Sequence, residues 1–164
     1  MISIRKAEKD DLFTVHNLAH EIWPFAYGEI LGINQLDYML DKIYCLPSLE
    51  HQYNILKHHF ILVLDNEIPV GFASFSPQEN PAIYHLNKIY LLPSQQGKNI
   101  GKKIINYVCE EVKKAGGRSL QLNVNRYNKA LHFYEKQGFK IIGNEDIDIG
   151  NGYFMNDYVM EMVL

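Results

Sequence analysis

Polar and apolar residues alternate over Ile2–Lys6, the period-two spacing of a short strand with one buried face. The spacing then changes. Asp10 or Asp11 can cap a helix in which Leu12, Val15, Leu18 or Ala19, and Ile22 recur every three or four residues. Pro24 and Gly28 loosen the next stretch, and Asn34 can cap a second helix presenting Leu36, Met39 or Leu40, and Ile43. Ser48, just past Pro47, can start a third helix around Leu49, Tyr53 and Leu56. At Phe60 the pattern turns to strands. Residues 60–64 form a compact apolar run, Asp65-Asn66-Glu67 supply turn chemistry, and 68–76 form a second run, which together predict a hairpin. After a break at 77–81, residues 83–92 make a third strand. A helix from about Gly101 carries Ile104, Val108, Val112 and Ala115 on one face and ends at Gly116-Gly117. Residues 119–124 alternate as a strand, 128–137 read as a short helix closed by Gly138, and 139–143 and 153–163 complete the set as two late strands. The order is strand, helices, three meandering strands, helix, strand, helix, two strands. It predicts a mixed α/β (α+β) sheet, neither a regular doubly wound fold nor a helix bundle.

Length and composition narrow the setting. A chain of 164 residues suits one domain, 1–164, and 47% apolar with 21% charged residues is globular, not disordered. A net charge of −3 gives no reason to expect nucleic acid or an anionic membrane as partner. Cys45 and Cys109 do not make a disulfide framework. The first residues lack a signal-like apolar stretch, and no run approaches the length of a membrane span. A soluble cytoplasmic domain is expected.

Residues 87–101, NKIYLLPSQQGKNIG, carry the clearest chemistry. A strand enters a loop holding Gly97, Lys98 and Gly101, and a helix starts there. Small residues let backbone approach a ligand, and the first N–H groups of a helix are unpaired, so the segment suits a phosphate or pyrophosphate. A plain strand-to-helix turn would use the same residues. The spacing is neither a Walker loop nor a dinucleotide fingerprint.

Gln96-Gly97-Lys98-Asn99-Ile100-Gly101 resembles the Q/R-x-x-G-x-G/A signature of the GCN5-related N-acetyltransferases, with Asn99 where the signature has its first glycine. Asn reaches the left-handed region at modest cost, so the loop shape can survive. The stretch 128–139, NKALHFYEKQGF, resembles the family's N-x-x-A-x-x-F-Y-x-x-x-G-F segment, and Leu120, Leu122 and Val124 match its preceding L-x-L-x-V strand. The resemblance extends over essentially the whole chain. It implies a mostly antiparallel sheet of about six or seven strands flanked by helices, with a splayed central strand. It also implies transfer of acetyl from acetyl-CoA, as co-substrate and without a metal, to a primary amine.

The resemblance assigns roles as well. The backbone of Ile89, Tyr90 and Leu91 would pair with pantetheine. Gln96, Gly97, Lys98, Asn99, Ile100, Gly101 and Lys102 would hold the pyrophosphate, and Asn128 would contact the pantetheine region. Tyr134 stands where the family protonates the leaving thiolate, although Phe133-Tyr134 would serve equally as packing aromatics. An alkyl amine is mostly protonated at neutral pH and must lose a proton before it attacks. Many relatives carry a glutamate on the central strand for this; here His85 and Asn87 occupy that region, and His85 or a water relay is the candidate base. Trp23 and Tyr27, with Phe25, can wall an acceptor pocket. Glu21, Asp37, Asp41 and Asp157 can attract a cationic amine, but a solvated surface charge is the favoured reading of each. The segment Glu21-Ile22-Trp23, the second helix and the ending from Gly152 to Met162 are loosely similar to bacterial spermidine/spermine N-acetyltransferases. A small-molecule amine such as a polyamine is therefore the expected acceptor. A protein or peptide amine, or a catalytically weak CoA-binding sensor, is the alternative. A homodimer is the assembly that family precedent offers.

Overall fold

A computed structural model describes residues 1–164. Seven strands, β1 (Ile2–Lys6), β2 (His59–Asp65), β3 (Ile68–Pro77), β4 (Ile83–Leu91), β5 (Ser119–Asn125), β6 (Lys140–Gly150) and β7 (Tyr153–Val163), form one sheet in the order β1-β2-β3-β4-β5-β7-β6. All neighbours are antiparallel except β4 and β5. Five helices cover it: α1 (Leu12–Tyr27), α2 (Ile33–Tyr44), α3 (Leu46–Asn54), α4 (Ile100–Lys114) and α5 (Ala130–Gln137). The mixed, mostly antiparallel sheet and the order of elements agree with the sequence pattern.

The differences from that pattern are local. Pro24 does not loosen α1, because its carbonyl accepts the Gly28 N–H and the helix runs on to Tyr27. Asp11 does not cap α1. Its carboxylate accepts the Glu8 N–H at 2.8 Å and the Arg5 guanidinium at 2.9 Å, closing a short 3-10 turn ahead of the helix. Leu56 lies past the end of α3 and is exposed. β6 runs to Gly150, far beyond residue 143, because it pairs along nearly its whole length with β7. Its side chains are mostly exposed, so no apolar alternation marks it in the sequence.

Each face of the sheet has its own core. On one, Ile100, Ile104, Ile105, Val108 and Val112 of α4 pack with Tyr134 of α5 against Ile61, Val63, Leu120 and Leu122. On the other, α1, α2 and α3 bring Leu12, Val15, Trp23, Leu36, Tyr44 and Leu49 onto Phe60, Leu62 and Phe72. The faces that strands show are fixed by their period of two. In β4 that period slips. Ser74 of β3 pairs with Lys88 and Phe75 with Leu86, leaving Asn87 as an extra residue in a bulge. Tyr84 and Leu86 therefore face the α4 core before the bulge and Ile89 and Leu91 after it, while Lys88 and Tyr90 turn toward the N-terminal helices.

The same bulge marks where the sheet opens. β4 and β5 pair only from Ile83–Ser119 to Leu86–Leu122. Beyond Leu86, β4 stays with β3 as far as Leu91, and β5 stays with β7 as far as Asn125. The two strands thus diverge in mid-sheet, the splayed central strand that the family pattern implied.

Candidate active site

The opening between β4 and β5 leads into a cleft of about 740 Å³. One wall is β4 from Leu86 to Leu91, the other β5 from Leu122 to Val124; the 93–101 loop and first turn of α4 close one end, α1 another. The 93–101 segment is shaped by backbone constraints. Gly97 sits at φ +80° and Asn99 at φ +60°, ψ 18°, both left-handed. Asn99 thus adopts the conformation that the sequence allowed for it. It precedes the first turn of α4 without capping it through its side chain, so the amides of that turn keep their donors for a ligand. Gly101 has a second function. A Cβ there would meet the Phe133 ring at 2.9 Å, so the missing side chain lets α5 close against the start of α4.

Gln96, Gly97, Asn99, Ile100 and Gly101 line the cleft, as do Ile89, Tyr90 and Leu91. Lys98 and Lys102 do not; they are exposed just outside it. Asn128 lines it too, with its Oδ1 accepting the Ala130 N–H at 2.9 Å at the start of α5, so only its amide NH2 faces outward for a ligand. Tyr134 reaches the cleft from α5 and is 9% exposed; its hydroxyl hydrogen-bonds no other protein group. Burial, with the Tyr27 hydroxyl a smaller contribution, pushes its phenol far above the ordinary value, so it holds its proton at neutral pH.

Tyr27 lines the cleft opposite and exchanges a 2.9 Å hydrogen bond with the Tyr90 hydroxyl. Burial raises Tyr27 to about 12 and Tyr90 well above its usual value. Trp23 stands behind this pair, its ring 4.5 Å from Tyr27 and 5.8 Å from Tyr90, and does not itself line the cleft. Tyr90 therefore pairs by its side chain with Tyr27 in the cleft lining, whereas the sequence pointed only to its backbone.

His85 lies one layer back. Its Nδ1 is 3.0 Å from Asn87 Oδ1 and its Nε2 3.1 Å from Asn123 Oδ1, and it is these two asparagines that line the cleft. Asn87 also donates to the Ser76 hydroxyl at 3.0 Å. The Asn123 amide nitrogen faces Glu145 at 3.4 Å and Asp157 at 3.5 Å. Glu21, Asp37 and Asp41 are exposed charges, as expected of each; Asp157 is the exception, a carboxylate only 5% exposed.

Sequence reasoning passed over Asn123 and Lys88. Asn123 belongs to the L-x-L-x-V strand, where attention falls on the apolar positions, and only the divergence of β4 from β5 gives its side chain a role. Lys88 is buried among aromatics, its Nζ 5.4 Å from the Tyr44 ring centroid and 5.9 Å from that of Phe60, with no carboxylate paired to it. Burial lowers its amine to about 8.

Residues 14–139 match the acetyltransferase (GNAT) family. The chain belongs to that family. Among its GNAT relatives, a spermidine N(1)-acetyltransferase of Thermoplasma acidophilum is 28% identical over 98% of this chain and 96% of its own. A peptidyl-lysine N-acetyltransferase of Salmonella typhimurium is 31% identical, over 57% of this chain and 59% of its own. The solved PaiA N-acetyltransferase of Thermoplasma acidophilum in complex with coenzyme A superposes with a TM-score of 0.83 at 26% identity, covering 100% of this chain and 99% of that one. The protein is a GNAT N-acetyltransferase, and no helix in it is long and apolar enough to cross a membrane.

Proposed function

We propose that residues 1–164 act as a single domain that moves the acetyl group of acetyl-CoA to a primary amine of a small molecule such as a polyamine. The opening between β4 and β5, with Tyr134 at one side and left-handed Gly97 and Asn99 at its end, carries this reading. The relative that acetylates spermidine supports the acceptor class, and the CoA complex of PaiA supports the donor.

Acetyl-CoA supplies an acyl group already activated as a thioester. The chain's residues do the rest. Free backbone groups of Ile89–Leu91, on the side of β4 that β5 has left, hold the donor arm as a strand would. Amides at 96–102 take the pyrophosphate, with Lys98 and Lys102 adding positive charge at the rim. Asn128 offers its NH2. Tyr134 keeps its phenolic proton and gives it to the departing thiolate. Water takes the acceptor's proton, with His85 as the base behind it and not in direct contact, because its two ring nitrogens face the Asn87 and Asn123 side chains that line the cleft. Tyr27 and Tyr90, backed by Trp23, present ring faces and hydroxyls to a cationic amine.

A thiol-release assay with acetyl-CoA against polyamines, amino acids, aminoglycosides and peptides tests the reading. Release stimulated by a small amine supports it. Acetyl-CoA binding with no amine-dependent release would leave a CoA-binding sensor, and release only with lysine peptides would favour a protein acceptor, the activity of the Salmonella relative.

A further inference from the structure

Asp157 is the one carboxylate buried in the molecule, 5% exposed, and it lies on the strand face that carries the polar neighbours of His85. Its Oδ1 is buried without a hydrogen-bond partner, and its Oδ2 has only the Asn123 amide at 3.5 Å. No lysine or arginine forms an ion pair with it or with Glu145. Arg126, the nearest candidate, is held at 2.9 Å by Asp146 and by the Glu145 carbonyl at 3.2 Å. Glu161, farther along the same strand, already accepts from Gln121 at 2.7 Å. A buried carboxylate normally finds a cation or several donors, and here it has neither.

The surroundings say what is missing. The Asn123 amide nitrogen lies within 3.5 Å of both carboxylates, while its oxygen is occupied by His85. Turning that amide over would aim its oxygen at two anions, so its orientation is fixed and the paired negative charges stay behind the cleft wall. The charge of Asp157 is felt at Tyr27 on the opposite wall. Burial first, then the nearby Glu145, lifts the Asp157 carboxyl above the usual range, a cost that a bound cation would relieve.

We propose that Asp157 and Glu145, gathered by Asn123, seat a second, non-reacting ammonium group of the acceptor, which makes the acceptor an aliphatic diamine or polyamine. Neither carboxylate lines the cleft itself, so the ammonium takes the place of the Asn123 amide that faces them, its three donors serving Asp157, Glu145 and a water. The methylene chain would then run past Tyr27 and Tyr90 and leave the other amine at the thioester. The proposal rests on the acetyltransferase reading, and it fixes the selectivity of the same cleft.

Calorimetric titration of the full chain saturated with CoA, using 1,4-diaminobutane, spermidine and butylamine, tests it without turnover. The diamine should bind at least tenfold more tightly than the monoamine, an advantage that shrinks with added salt. Asp157→Asn, nearly isosteric, and Glu145→Gln, at an exposed position, should each collapse that ratio toward one. Equal affinity for diamine and monoamine in the unaltered protein would overturn the proposal, as would a preference that survives both substitutions. Failure of the acetyltransferase reading is separable, since it would appear as absent thiol release with every amine while these binding ratios are still measured.

Discussion

Asn99 occupies the left-handed region at φ +60°, where a branched side chain is strained by about 1–2 kcal/mol. Asn99→Val is therefore expected to weaken CoA binding roughly tenfold, and Asn99→Gly to preserve or improve it, both measurable by titration. Tyr134 makes a different demand, a proton at the right place. Tyr134→Phe removes the hydroxyl but keeps the ring against Phe133 and Phe139, so kcat should fall about 100-fold while acetyl-CoA affinity changes little. Equal loss in both would make the residue structural. Gly97, Asn99 and Tyr134 are legible because motif spacing and left-handed propensity act locally. Asn123 is not, and neither is the burial of Asp157, although Asp157 is one of four carboxylates that the sequence offers to a cationic amine. Their environment is made by three strands distant in sequence, and an aspartate gives no sign in the chain of whether it is buried.

Among the elements, β4 shows both sides of this. Its bulge is written in the chain, since the α4-facing apolar positions move from 84 and 86 to 89 and 91, a parity change at Asn87. Read as one continuous apolar run, 83–92 conceals it. β6 outruns its apolar pattern for the opposite reason: backbone pairing with β7 sustains it without a buried face. The contact of α4 with α5 depends on a single absent side chain. Alanine is the better helix former by about 1 kcal/mol, yet Gly101→Ala should weaken CoA binding severalfold, because its Cβ displaces the Phe133 ring that lines the cleft. Adding Phe133→Leu should recover part of that affinity, and titration of the single and double variants checks it.

For the molecule as a whole, Lys88 leaves a pH signature. Its amine falls from 10.5 to about 8 on burial, so between those values the unfolded chain binds more protons than the folded one and stability rises with pH. The shift corresponds to about 3 kcal/mol, which attraction to the Tyr44 and Phe60 rings partly offsets. Urea midpoints should climb from pH 8 toward 10. Lys88→Met should flatten that rise and raise the midpoint at pH 7, whereas an unchanged slope would place the titration elsewhere. The two halves of the sheet, β1–β4 and β5–β7, are joined at β4 and β5 by only four residue pairs, which leaves the cleft open between strands from separate parts of one chain.

That short seam has a kinetic consequence. An arm held by the free edge of β4 is held by the same atoms before and after the acetyl group leaves, so the grip is spent equally on reactant and product. Free CoA would then compete with acetyl-CoA at similar concentrations. The rate of acetylation in a cell would follow the ratio of acetyl-CoA to free CoA more closely than the amount of either.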